Sequence, residues 1–266
     1  MADRQHSIKI LGCGTSTGVP LPGCECKVCL SDNEKNKRTR TSSIIGTAEG
    51  RNILIDASPD LRFQALKFGI KRIDAVLFTH AHMDHILGID DLRPFNFIQK
   101  SSIPCYGSSK TLSEIKKVFS YIFNPDPLYE GGWVPRLDLN NLVDLQSFSV
   151  PEINFQITPF TVMHGHMPVT AYRAGELAYV TDCNLIPDPS MKVIRGSKYL
   201  ILDGLRYEPH RTHFTIPQAI EVAREVGAER TILIHTTHNV EYEEVNNQLP
   251  EGVELAYDGL ELTFRA

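Results

Sequence analysis

The sequence predicts an α/β protein with layered sheets. Short apolar runs rich in β-branched residues recur along the chain, and amphipathic stretches of helical period lie between several of them. In addition, several of the runs stop at an Asp or a His, which points a reactive side chain into a cleft at a sheet edge.

Strands are expected at 8–11, 43–46, 52–56, 75–79, 155–159, 177–182, 199–203, 231–235 and 254–256. A first helix is expected over 60–68, where residues 61, 65, 66 and 68 are apolar. Similar patterns cover 110–123 and 217–226; the last has Thr215 as N-cap, Pro217 in its first turn and Gly227 as its stop. Residues 124–145 are rich in Pro, Gly and Asn and read as an irregular loop near the site, with Tyr129 and Trp133 either shaping a substrate mouth or simply packing. The whole chain, 1–266, is expected to be a single domain with a small zinc-binding loop around 24–29.

Hydrophobic residues at 42% and charged residues at 22% are ordinary for a globular protein. The net charge of −5 argues against a broad electrostatic grip on nucleic acid, so no extended nucleic-acid partner is expected. The basic cluster Lys35–Arg40 is expected to be a solvated loop. No apolar stretch has signal-peptide or membrane-spanning length, so the expectation is a cytoplasmic protein without a membrane partner. The 6 cysteines then read as thiols or metal ligands.

The chemistry concentrates in His80-Ala-His82-Met-Asp84-His85, directly after the apolar run 73–78. In extended chain, residues i and i+2 point the same way, so His80 and His82 address one point while Asp84 and His85, at the following turn, address a second. Imidazole and carboxylate together suit zinc, manganese or iron. Further donors stand at or beside strand ends: His164, Asp182 and His235. A second cluster, Cys24-Glu-Cys26-Lys-Val-Cys29, supplies three soft ligands in a turn-rich context. A structural zinc wants four, and His238 is the expected fourth.

The order H-x-H-x-D-H, then His, Asp and His, resembles the metallo-β-lactamase superfamily across nearly the whole chain. That resemblance implies a four-layer αββα sandwich of two similar halves with the metals at the sheet edges. It assigns one catalytic ion to His80, His82 and His164 and the other to Asp84, His85 and His235, with Asp182 bridging and Asp56 supporting the ligand loop. Cys183 is expected to be a structural thiol facing away. With the cysteine cluster and the C-terminal H-x-x-H, the chain looks like the PhnP-type phosphodiesterases, whose core is similar to that of tRNase Z. The resemblance implies hydrolysis of small cyclic phosphodiesters, such as 5-phosphoribosyl 1,2-cyclic phosphate or 2′,3′-cyclic nucleotides, and homodimers, since family members are often dimers.

Two ions a few ångströms apart can share a hydroxide and neutralise phosphate oxygens. Asp84 would orient that nucleophile. By resemblance to the PHxTHF element of relatives, here Pro209–Phe214, His213 is the candidate general acid or phosphate contact, with a hydrogen bond to a ligand as its alternative. His210 is a candidate substrate contact or a plain loop residue. Arg93 is a candidate phosphate contact, against the plainer expectation of a salt bridge to Asp90 or Asp91. Competing functions are a tRNase Z-like RNA endonuclease, a lactonase or thioesterase on the same core, and a non-catalytic carrier similar to pyrroloquinoline quinone B proteins. The last has degraded ligand positions in the proteins it resembles, whereas every position is filled here.

Overall fold

A computed structural model describes residues 5–124 and 132–266; the expectation for Tyr129 falls outside the described residues. The first half contributes β1 (Gln5–Gly12), β2 (Ser42–Gly46), β3 (Asn52–Ile55), β4 (Ala75–Leu77), β5 (Ile103–Gly107) and β6 (Leu137–Asn141). The second contributes β7 (Phe148–Ser149), β8 (Gln156–His164), β9 (Met167–Ala174), β10 (Leu177–Val180), β11 (Tyr199–Asp203), β12 (Arg230–Ile234) and β13 (Val253–Leu255), and β14 (Glu261–Arg265) returns to the first half. Helices are α1 (Leu61–Lys67), α2 (Met83–Ile86), α3 (Arg93–Gln99), α4 (Ser109–Val118), α5 (Ser120–Phe123), α6 (Asp188–Ile194), α7 (Ile216–Val226) and α8 (Tyr242–Asn246). One 7-stranded sheet runs β14-β1-β2-β3-β4-β5-β6 and the other β13-β12-β11-β10-β9-β8-β7.

Strand alternation builds four layers from these elements. Ile53, Ile55, Ala75 and Leu77 of the first sheet face Ile201, Ile232 and Ile234 of the second across a central core. Leu54 and Val76 point the other way and bury Leu61, Ile86, Leu92 and Ile115 of the helical side. On the far side Leu200, Leu202 and Leu233 pack against Met191, Ile216, Ala219 and Val245. Buried on both faces, strands such as β3 and β12 read as unbroken apolar runs, which is why the sequence shows them plainly. The αββα architecture follows directly. No helix among the described residues is long and apolar enough to cross a membrane.

Helix α7 has the expected ends: a capping box between Thr215 and Gln218, a proline in the first turn, and Gly227 in the left-handed region at φ 72. Three expectations are corrected. The 110–123 helix breaks at Phe119, and the supposed loop 124–145 contains β6, which pairs parallel with β5. An edge strand with one solvated face carries little apolar signal, and Pro104 disguises its neighbour β5. The Lys35–Arg40 cluster is also not simply solvated. Arg38 is only 1% exposed. Its guanidinium donates to the carbonyls of Lys35, Thr237 and Val240 and to Asn36 Oδ1, pinning this loop to the segment that carries His238.

Candidate metal centre

Parallel strands deliver the candidate ligands at their carboxyl ends, the position open α/β sheets leave for chemistry. β4 runs through Phe78 and Thr79 into His80 and His82, and α2 then carries Asp84 and His85. His164 ends β8 at its hairpin, Asp182 lies two residues past β10, and His235 directly follows β12. Asp56, Asp182 and His235 all have left-handed backbone, with φ 61, 49 and 61. Asp and His tolerate that region better than most residues, yet such conformations persist only where the surroundings enforce them, and here they turn each side chain inward.

The side chains converge. Asp182 Oδ2 lies 3.3 Å from His235 Nε2, 3.4 Å from His85 Nε2 and 3.8 Å from His80 Nε2. Asp84 Oδ2 is 3.3 Å from His85 Nε2 and 3.6 Å from His235 Nε2. Asp84, His85, Asp182 and His235 form one group with donor atoms within 4.8 Å of one another, and His80, His82 and Asp182 form a second. The His164 ring stands 5.2 Å from His82 and 5.9 Å from His80, and its donor atom groups with those of Asp182 and His213.

A metal fits these residues on physical grounds. His80, His85 and His235 each bury an Nε2 that has no hydrogen-bond partner, and a sealed polar atom is costly unless something coordinates it. Burial lowers the pKa of His80, His82 and His164, favouring the neutral imidazole that metals require. Burial alone would raise Asp182, but the surrounding imidazoles hold it well below the usual carboxylate range.

Behind the donors, a second set of contacts orients the rings. Asp56, fully buried, accepts from Thr79 N–H at 2.8 Å, from Thr79 Oγ1 at 2.7 Å and from His85 Nδ1 at 2.7 Å. His80 Nδ1 pairs with Thr79 Oγ1 at 3.0 Å, and His164 Nδ1 donates to the Thr212 carbonyl at 2.8 Å. Each bond fixes a tautomer whose Nε2 faces the centre. His213 Nδ1 donates to Asp203 Oδ2 at 2.7 Å, and its ring stacks on His235 at 4.7 Å and 14°. Burial lowers the His213 pKa, but Asp203 more than offsets this and raises it.

Asp203 and Thr79 are the residues that sequence reasoning missed. Asp203 ends the apolar strand β11, the same signal that singled out Asp56 and Asp182; Thr79 carried no such mark. Other expectations fall in varied places. His210 is exposed and lies 5.0 Å ring to ring from His213. Arg93 donates to the Trp133 carbonyl at 2.8 Å and lies 4.0 Å from Asp90, so these contacts are with its neighbours and not with the donor cluster. Trp133 is 75% exposed and meets Phe97 edge-on at 6.3 Å. Cys183 is buried in the outer core of the second sheet, away from the donors.

The cysteine cluster also closes. Cys24, Cys26 and Cys29 Sγ lie 3.3, 3.4 and 3.7 Å from His238 Nδ1. Backbone N–H groups donate to the sulfurs, from Cys29 to Cys26 and from Leu21 to Cys29. The first of these bonds helps pull the Cys26 thiol down to about 6, while burial, with the adjacent sulfurs, pushes Cys29 up to about 11. Three thiolates at this spacing repel one another unless a cation sits among them.

A family model for the beta-lactamase superfamily domain matches residues 51–236. The chain is thus a member of the metallo-β-lactamase superfamily, and its fold supports a metal-dependent hydrolase. Within that class it belongs to the PhnP branch. A crystal structure described as a new diphosphatase from the PhnP family is 40% identical, with a TM-score of 0.90, covering 98% of this chain and 97% of that one. A zinc-bound PqqB from Methylobacterium extorquens is 21% identical, with a TM-score of 0.76 over 96% of this chain and 99% of that one, a likeness of fold alone. An octanoyltransferase of Porphyromonas gingivalis is 40% identical over 95% of this chain, which spans only 50% of that protein's length.

Proposed function

We propose that this protein is a two-metal phosphodiesterase acting on small cyclic phosphodiesters. The observation that carries the reading is the position of Asp182, whose carboxylate belongs to donor groups of both halves and is ringed by sealed, unpartnered imidazole nitrogens. His80, His82, His164 and Asp182 would hold one divalent ion, and Asp84, His85, His235 and Asp182 the other, with manganese or zinc best suited and iron chemically compatible. The cysteine site with His238 would hold a structural zinc.

Two such ions supply Lewis-acid stabilisation of phosphoryl charge and a water made acidic near neutrality. The protein's own groups do the rest. Asp84 accepts a hydrogen bond from the attacking water and orients it. His213, kept in one tautomer by Asp203, gives a proton to the departing alcohol oxygen, an assistance worth about 10²–10⁴-fold. Asp56 and Thr79 keep His80 and His85 aligned.

The test joins metal analysis to a panel of cyclic and linear phosphodiesters with a lactone control. The metal-loaded protein should hydrolyse bis(p-nitrophenyl) phosphate, and His82→Ala or Asp182→Ala should abolish that turnover while circular dichroism stays unchanged. Parent-like turnover in His82→Ala, or a lactone as the preferred substrate, would sink the reading.

A further inference from the structure

Asp182 is common to three of the donor groups, so its orientation bears on the centre as a whole. Its main chain is held from the following residue: Cys183 N–H donates to Asp203 Oδ2 at 2.9 Å, and the Cys183 carbonyl accepts from Phe214 N–H at 2.8 Å. What stays free is the side chain, whose terminal torsion is broad and two-fold and lets the carboxylate plane swing. One contact removes that freedom. The Thr181 hydroxyl donates to Asp182 Oδ1 at 2.6 Å, the short distance of a bond to an ionised acceptor. Thr181 has no exposed surface and Asp182 only 2%, so water is poorly placed to supply the bond instead.

The two oxygens thereby take different tasks. The approaches to His235, His85 and His80 Nε2 are all made by Oδ2, while Oδ1 is taken by Thr181. The first half has a counterpart: Thr79 directly precedes His80, and its hydroxyl pairs with His80 Nδ1 at 3.0 Å. We propose that Thr181 is a positioning residue of the metal centre, whose hydroxyl occupies one oxygen of Asp182 and leaves the other as the single point shared by both donor groups. Without that bond the carboxylate is free to turn both oxygens toward one group, which favours one ion at the expense of the other. Thr181 thus governs whether two ions bind as a pair, although it acts only through Asp182. The proposal rests on the two-metal reading of the donor set and holds for any phosphodiester substrate.

The test uses the full chain with zinc retained at the cysteine site and the donor cluster emptied by a weak chelator. It is titrated with manganese, an ion that imidazole and carboxylate hold and thiolates disfavour. Calorimetry counts the ions, and electron paramagnetic resonance reports whether they couple through a shared oxygen. The parent should take up two manganese ions and give an exchange-coupled signal. Thr181→Val keeps the shape and removes the hydroxyl. It should bind the pair about 10–100-fold more weakly and give mainly the signal of isolated ions. At saturating manganese its kcat toward bis(p-nitrophenyl) phosphate should fall while KM changes little, and Thr181→Ser should recover affinity, coupling and kcat. A valine variant with parent affinity and coupling overturns the proposal. So does a serine variant as impaired as the valine one, which would assign the role to packing. If the valine variant does not fold, Thr181→Ser against Thr181→Ala makes the same comparison, and an alanine variant that matches serine overturns the proposal. A parent that takes up fewer than two ions in the donor cluster overturns the two-metal reading itself, and the proposal with it.

Discussion

Replacing Asp56 tests whether the carboxylate behind the donor cluster sets its affinity for metal. Asp56 has no exposed surface, its backbone sits at φ 61, and its two oxygens receive three hydrogen bonds, two from Thr79 and one from His85 Nδ1. Asn keeps the size and tolerates the left-handed backbone, but it offers one acceptor oxygen to three donors. At least one buried donor is then unpaired, at about 1–3 kcal/mol, or roughly 3–10 °C in Tm for a chain of this size. Ala leaves all three unpaired, at least about 3 kcal/mol, and adds on the order of 1 kcal/mol for an unfavourable φ. Asp56→Asn is therefore the informative variant. It should fold and should bind metal about 10–100-fold more weakly, because His85 and Thr79 lose the partner that orients them. Chelator competition followed by elemental analysis measures the affinity, with thermal denaturation as control. An Asn variant that holds metal as tightly as the parent would refute the reasoning.

Cys26→Ser should lose one bound zinc per chain together with thermal stability, because a structural site of this kind contributes its binding energy to folding; unchanged zinc content and Tm would overturn that assignment. Gly88→Ala should destabilise on the order of 3 kcal/mol in urea unfolding, because its Cβ would stand 2.0 Å from the Ser58 carbonyl oxygen and 3.0 Å from that of Ala57, just behind the ligand loop; an unshifted midpoint would show that the loop yields. Arg38→Met strips buried carbonyls at Thr237 and Val240 of a charged donor, at about 1.5–3 kcal/mol for each bond. Because Thr237 lies between His235 and His238, zinc content and phosphodiester turnover should fall together, and a variant that lowers only Tm would argue against this coupling.

Much of this was legible in the sequence, and the physical reason is burial. Strands β3, β4, β11 and β12 are covered on both faces and appear as solid apolar runs, so the polar residues that end them stand out. Asp56, Asp182 and His235 were visible for that reason. The edge strands β6 and β14 alternate with solvent, and β5 contains Pro104, so each resembles a loop. Arg38 misled because its charge implied water, whereas the fold surrounds it with backbone carbonyls that no sequence pattern announces.

The two halves of the site share one construction. In the first, Asp56 follows β3, accepts an N–H from Thr79 beyond the neighbouring strand β4, and takes His85 Nδ1 at 2.7 Å. In the second, Asp203 ends β11, accepts an N–H from Cys183 beyond the neighbouring strand β10, and takes His213 Nδ1 at 2.7 Å. The same device thus holds two imidazoles in the same tautomer, yet it leaves them in different surroundings. His85 Nε2 is sealed, unpartnered and 3.4 Å from Asp182, a place only a cation relieves. His213 instead lines a cleft beside His210 and Arg206 and is 7% exposed, whereas His85 has no exposed surface. Equivalent scaffolding with unequal surroundings thus fits the proposed division of roles, His85 as a ligand and His213 as a proton carrier.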